Sequence, residues 1–222
     1  MSNLRKMNMV SGRGQEQINF TSLGVGSHSK SVYNRINRMV LQCKNNCVIN
    51  QVLERLLEIV WTKQLGTVAD DISSAIAIDS NNNVYITGYT GGALVGTSAG
   101  LKDAFLVKYN SAGISLWTKQ LGTTSNDYSR AVAIDSNNNV YITGYTEGAL
   151  VGTSAGTIDA FLVKYNSVGT SLWTKQLGTT ANDITSAIAI DSNNNVYISG
   201  YTTGSLVGTN AGSIDAFLVK YG

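Results

Sequence analysis

Oxygen-bearing side chains recur at every second place in Asp79-x-Asn81-x-Asn83, and the same run returns at Asp135 and Asp191. Alternating carboxylate and amide oxygens open many loops that wrap a hard cation such as calcium. An EF-hand loop also needs glycine at its sixth place and glutamate at its twelfth, and here those places hold Val84 and Thr90. The run therefore reads as an Asn-rich turn, its aspartate accepting backbone N–H bonds and an asparagine taking a left-handed conformation. No metal and no cofactor are expected from it.

Other catalytic chemistries find little support. The paired acids Asp70-Asp71 become Asn126-Asp127 and Asn182-Asp183 further along, so no acid pair is kept in register. Histidine occurs once, at His28, which excludes a nucleophile–histidine–acid set from residues 61–222. Cys43 and Cys47 are separated by three residues with no second pair, whereas structural zinc takes four ligands. They read as free, partly buried thiols on one helix face. No catalytic residue is expected, and an enzyme would be a degenerate one.

A recognition surface is easier to place. Asp71, Asp127, Asp183, Tyr89, Tyr145 and Tyr201 flank the longer connections Gly66–Ser74 and Thr90–Lys102 and their equivalents, where they could serve a glycan or protein as acceptors and stacking surfaces. Their competing role is structural, with aspartate fixing the turn and tyrosine capping a sheet edge. Substitutions gather in the same connections: Ile72 becomes Tyr128 and Ile184, Gly91 becomes Glu147 and Thr203, and Lys102 becomes Ile158 and Ile214. Drift between duplicated copies produces the same pattern.

These residues sit on a repeating frame. Trp61, Trp117 and Trp173 mark a period of 56 residues, and copies 61–116 and 117–172 differ at 11 of 56 positions, with a third copy over 173–222. Repetition at this length means stacked supersecondary units, none able to bury its apolar surface alone. Each copy holds four strand-like runs rich in Val, Ile, Tyr, Phe and Trp and bounded by Asn and Gly clusters. In Ala131–Ile134 both faces are apolar, so the sheet must be covered on two sides. Four-stranded antiparallel sheets packed face to face make a β-propeller, with the Ala131 run innermost and the Trp117 run outermost.

The runs Trp61-Thr62-Lys63-Gln64-Leu65-Gly66-Thr67, Ala75 to Thr90 and Asp103 to Asn110, with their two sets of equivalents, resemble the bacterial SBBP-type β-propeller repeat. The resemblance covers 61–222 and none of 1–60. It implies a propeller, members of mostly unknown activity, and export or surface location, although no signal peptide precedes the repeats here. A tryptophan in each copy is also shared with quinone-dependent propeller dehydrogenases, but no cofactor-binding cluster accompanies it.

On this phasing 75–121 and 131–177 are full blades and 187–221 has three strands, the missing outer strand being Trp61–Leu65 if the ends of the array meet, within one chain or between two. The fold class expected is all-β, a partial three-blade propeller with a short α-helical N-terminal segment. Propellers usually hold four to eight blades. A homodimer completing a six-bladed ring is one expectation, and a remnant of a larger propeller is the other.

The N-terminal 1–60 reads as a poorly ordered stretch followed by a helical hairpin, with Val32, Ile36, Met39 and Val40 and then Ile49, Val52, Leu53, Leu56 and Leu57 at helical spacing. Its charge of +5 against −3 for 61–222 sets it apart from the repeats. No base-reading motif accompanies that charge, so no nucleic acid is expected as a partner. No apolar run approaches the roughly 18 residues of a membrane span. The functional expectation is a non-enzymatic interaction scaffold.

Overall fold

The computed structural model describes residues 59–222, and the expected N-terminal helical hairpin lies outside them. Eleven strands follow in order: β1 (Asp71–Ile78), β2 (Val84–Thr90), β3 (Asp103–Tyr109), β4 (Ser115–Leu121), β5 (Asp127–Ile134), β6 (Val140–Thr146), β7 (Asp159–Tyr165), β8 (Ser171–Leu177), β9 (Asp183–Ile190), β10 (Val196–Thr202) and β11 (Asp215–Tyr221). They form antiparallel sheets in the orders β1-β2-β3-β4, β5-β6-β7-β8 and β9-β10-β11. The described region is thus all-β, three propeller-like blades of which the last has three strands.

Turn chemistry explains why each blade folds back on itself. Asp79 Oδ1 accepts the backbone N–H groups of Asn81 and Asn83, both at 2.9 Å, and the chain reverses through Asn82 at a φ of 61°. Asparagine tolerates that left-handed region better than most side chains. Asn138 and Asn194 repeat the geometry at 61° and 63°. The far hairpin uses glycine in the same place, Gly113 at 74° and Gly169 at 82°.

A bulge sets the shape of every inner strand. Register slips between Ser73 and Ala75, between Ser129 and Ala131, and at the same place in β9. The extra residue swings the inner strand's backbone against the middle strand, where a Cβ on Gly88, Gly144 or Gly200 would collide with the carbonyl oxygen of Ile72, Tyr128 or Ile184. Only glycine fits there, and the bulged residue itself turns outward.

Blades stack by one repeated joint. Tyr85, Ala104 and Leu106 of the first blade bury against Val140, Ile142, Phe161 and Val163 of the second. Tyr141 and Leu162 of the second then meet Val196, Ile198 and Val219 of the third. Burying a side chain such as Leu106 stabilises by about 1.5–3 kcal/mol relative to exposure. Polar pairs register the joint: Thr87 Oγ1 and Ser129 Oγ lie 2.7 Å apart, and Thr143 and Thr185 share a 2.8 Å bond one blade on.

The outer strand of the third blade is not supplied from within the chain's described residues. Trp61–Leu65 forms no strand and pairs with none, and the outer edge of β11 has no strand beside it among the described residues. The segment instead lies on the first blade, where Leu65 packs against Phe105, Val107 and Tyr109. Within one chain the two ends of the array do not cover each other, since Ile76 of the first blade and Leu218 of the third are both exposed.

Candidate functional site

The bulge in β5 decides where chemistry gathers on the loop face. Arg130 is the extra residue, without a cross-strand partner, and it projects into solvent beside the ladder pair Tyr128 and Tyr145. Its guanidinium donates to the Tyr145 hydroxyl at 3.2 Å and lies 5.3 Å from the Tyr145 ring and 5.9 Å from the Tyr128 ring. Tyr128 and Tyr145 stack with centroids 4.8 Å apart, and Tyr89 of the first blade meets Tyr128 edge-on, also at 4.8 Å.

Lys102 closes the row from the other side, its Nζ 5.1 Å from the Tyr89 ring and 5.5 Å from the Tyr128 ring. It is held there because its carbonyl accepts from the Asp127 N–H at 2.7 Å, tying the long loop of the first blade to the inner strand of the second. Glu147 stands nearby and accepts from Asn126 Nδ2 at 2.8 Å. Three aromatic rings between two cations span a single joint. Cation–π contacts at exposed sites contribute about 0.5–1 kcal/mol each.

Tyr89 and Tyr145 are therefore brought together, through Tyr128. Tyr201 stands elsewhere, on the third blade, with Ile184 as its ladder partner. Asp127 and Asp183 are fully buried and turned into their own loops. The Asp127 Oδ2 accepts from Thr123 N and Oγ1 at 2.6 and 3.0 Å, and Asp183 does the same with Thr179 at 2.6 and 2.9 Å. Asp71 holds Thr67 in the same way. This geometry is that of a turn lock made by Oδ2, while Oδ1 of Asp71, Asp127 and Asp183 is buried and accepts no hydrogen bond.

Position in the stack changes the electrostatics of that lock. For Asp71, burial raises the carboxyl's pKa, but bonds from Thr90 and Thr67 outweigh it and hold the group below its ordinary value. For Asp127, which lies under the first blade, burial prevails over the bonds from Thr146 and Thr123, the charge of Asp103 adds to it, and the pKa is raised. The Asp79 type of turn is uniform: burial opposes ionisation, but bonds from Asn83, Tyr85 and Asn81 hold Asp79 low.

Sequence reasoning selects residues that recur in every copy, whereas this cluster is built from residues that break recurrence. Lys102 stands where the other copies have Ile158 and Ile214, Tyr128 where they have Ile72 and Ile184, and Arg130 where they have Ser74 and Ser186. The departure at Arg130 is legible in the sequence as soon as the copies are aligned. Its meeting with Lys102, which is 28 residues away, is not.

Stacked antiparallel blades with inner strands packed against one another define a β-propeller-type repeat protein, and this cation–tyrosine row lies on its loop face. Residues 60–94, 116–150 and 172–206 each match the SBBP beta-propeller repeat, and the repeat region belongs to that family. An uncharacterized WD repeat-containing protein of Acanthamoeba polyphaga mimivirus is 25% identical over 219 aligned residues, covering 79% of this chain and 16% of the viral protein. The regulatory protein FlaEY of Caulobacter vibrioides is 33% identical over 135 residues, covering 55% of this chain and 14% of that one. The chain thus spans about a sixth of these relatives or less. A solved Bacteroides caccae protein of unknown function overlaps 57% of this chain and 38% of its own at a TM-score of 0.34 and 10% identity.

Proposed function

We propose that the repeat region is a non-enzymatic scaffold that binds a carboxylate-bearing glycan across the joint of the first two blades, at a bacterial surface. The observation that carries the reading is the convergence of Lys102, Tyr128 and Arg130, three departures from the repeat, on one row with Tyr89 and Tyr145. Random drift would scatter such changes over both joints. Tyrosine rings offer flat apolar faces to sugar rings, and the flanking cations offer donors to carboxylates. A stable protein partner generally needs about 800 Å² on each side, more than a row of five side chains presents. The surface location rests on the family resemblance.

The non-enzymatic half of the proposal is supported by the use of the repeat aspartates. Asp71, Asp127 and Asp183 hold threonine turns, and Asp79 and Asp135 hold asparagine turns. Each gives at least one carboxylate oxygen to its turn. An acid–base role would leave one of these turns open.

Calorimetric titration of the full chain with polygalacturonate oligomers tests the reading, with a neutral cello-oligosaccharide as control. The triple variant K102I/Y128I/R130S restores the residues of the other copies, so it should still unfold in one cooperative urea transition, its midpoint lowered only by the lost cation–π contacts, while binding weakens at least tenfold. Equal affinity in wild type and variant, or none in either, would overturn the glycan site. Shortened products after incubation would overturn the non-enzymatic assignment.

A further inference from the structure

The two ends of the array carry the two halves of the internal joint. At the leading face Trp61 Nε1 donates to the Ser111 carbonyl at 3.1 Å, the same bond that Trp117 makes to Ser167 at 3.3 Å. Trp117 belongs to the outer strand of the blade before Ser167. Trp61–Leu65 therefore sits where the outer strand of a blade preceding the first one belongs. Among the described residues no inner strands accompany it, and a groove of about 300 Å³ lies beside it, lined by Leu65, Ile76, Val84, Ile86 and Phe105. Ile76 is 65% exposed there, against 9% for its equivalent Val132 inside the stack.

The trailing face is the complement. Leu218 is 71% exposed while its equivalents Leu106 and Leu162 are buried to within 1%. Polar groups are left over in matching positions. Ser199 holds the place of Thr87, which bonds Ser129, and Ser73 holds the place of Ser129. Lys220 holds the place of Lys108, whose Nζ donates at 3.0 Å to the same Ser167 carbonyl as Trp117. Among the described residues the Ser111 carbonyl takes the tryptophan alone.

From this we infer that the third blade is completed by a second copy of this chain, docked head to tail, whose Trp61–Leu65 becomes the fourth strand beside β11. The pairing follows from β3 with β4, where Ala104 opposes Leu121, Leu106 opposes Lys119 and Lys108 opposes Trp117. It sets Ala216 against Leu65, Leu218 against Lys63 and Lys220 against Trp61 of the second copy. The partner's first blade then covers Leu218 with the face that already fits Leu106 inside each chain. Backbone bonds along an open edge provide attachment, and the apolar face provides fit. The contact is heterologous, and two copies related by a two-fold rotation close it into six blades. The occupant is identified by continuity, since the surface it must match is the internal joint of this same sequence.

Two full-length variants in a C43S/C47S background, Leu218→Cys and Lys63→Cys, decide the matter when mixed and oxidised. Both positions are exposed in the single chain, so neither substitution disturbs its core. A disulfide joining one chain of each kind is expected, together with a light-scattering mass of twice 23.6 kDa for the wild type and of 23.6 kDa for Leu218→Asp. A wild-type mass of 23.6 kDa would overturn the proposal. So would a chain carrying both cysteines that cross-links only to itself, since the array would then close on its own end.

Discussion

Thr87 donates to the backbone carbonyl of Phe105 at 2.6 Å and lies 2.7 Å from the hydroxyl of Ser129, so one buried oxygen links a strand pair within a blade to the blade beside it. Thr143 repeats the role, bonding Phe161 at 2.6 Å and Thr185 at 2.8 Å. Leucines and valines at the joint supply most of the burial, but they slide easily. The hydroxyl pair gives the joint a single register.

Thr143→Val should therefore cost more than its shape suggests. The methyl replacing the hydroxyl fills the same space but removes the bonds to the Phe161 carbonyl and to Thr185, at about 0.5–1.5 kcal/mol for each bond lost. Urea denaturation of the full chain would show the midpoint falling with an unchanged slope. A midpoint equal to wild type would mean that packing alone sets the joint.

Gly144→Ala tests the bulge. A Cβ at this position collides with the backbone carbonyl of Tyr128, and backbone in the middle of a sheet yields little. A loss of about 3 kcal/mol or more is expected, at the upper end of overpacking costs. Thermal unfolding followed by circular dichroism gives the value. Gly96→Ala is the comparison: its φ of 66° strains a side chain although nothing crowds it, so a loss of about 1 kcal/mol is expected.

The acid response should have two signs. Asp79, Asp135 and Asp191 have pKa values below the ordinary carboxylate value, Asp191 at about 2, chiefly through its bond from Asn195. Their contribution is complete above the unfolded value and is lost as the pH falls through the folded one. Asp127 is shifted upward by burial, so its contribution is complete below the unfolded value and lost as the pH rises through the folded one. Chemical denaturation from pH 2 to 7 should show stability rising out of the strongly acid range and then flattening or easing downward. Asp127→Asn should remove the easing, and a profile the same as wild type would contradict it.

Arg130→Ser and Tyr145→Phe should be coupled. Each removes one side of the 3.2 Å bond and the variant serine also removes the cation from the tyrosine row. A double-mutant cycle on stability should return about 0.5–1 kcal/mol. Additive effects would show that Arg130 stands free of the row in solution.

Much of this architecture was legible in one dimension. The 56-residue period, the strand runs and the Asp-Ser-Asn-Asn-Asn turn are local facts, because a strand needs alternate apolar residues and a reversal needs a residue that tolerates positive φ. Apolar residues on both faces of Ala131–Ile134 implied neighbours on both sides, and the stack provides them for β5. Aspartate recurring at one place in every copy signals either recognition or a turn lock, and the sequence gives no direction for its side chain. The row of Lys102, Tyr89, Tyr128, Tyr145 and Arg130 was written in the differences between copies.

Sequence by itself determined the unit, its strands, its turns and the absence of histidine from the repeats, because each depends on residues within a few places of one another or on composition. Tertiary structure alone decided that Asp127 turns inward, that Arg130 meets Lys102 across a row of tyrosines, and that Trp61 lies on the first blade while β11 keeps an open edge. The physical reason is that face-to-face stacking brings together residues from different copies. Which side chains it buries, and which ends it leaves uncovered, depends on how many blades are present and where each one stands.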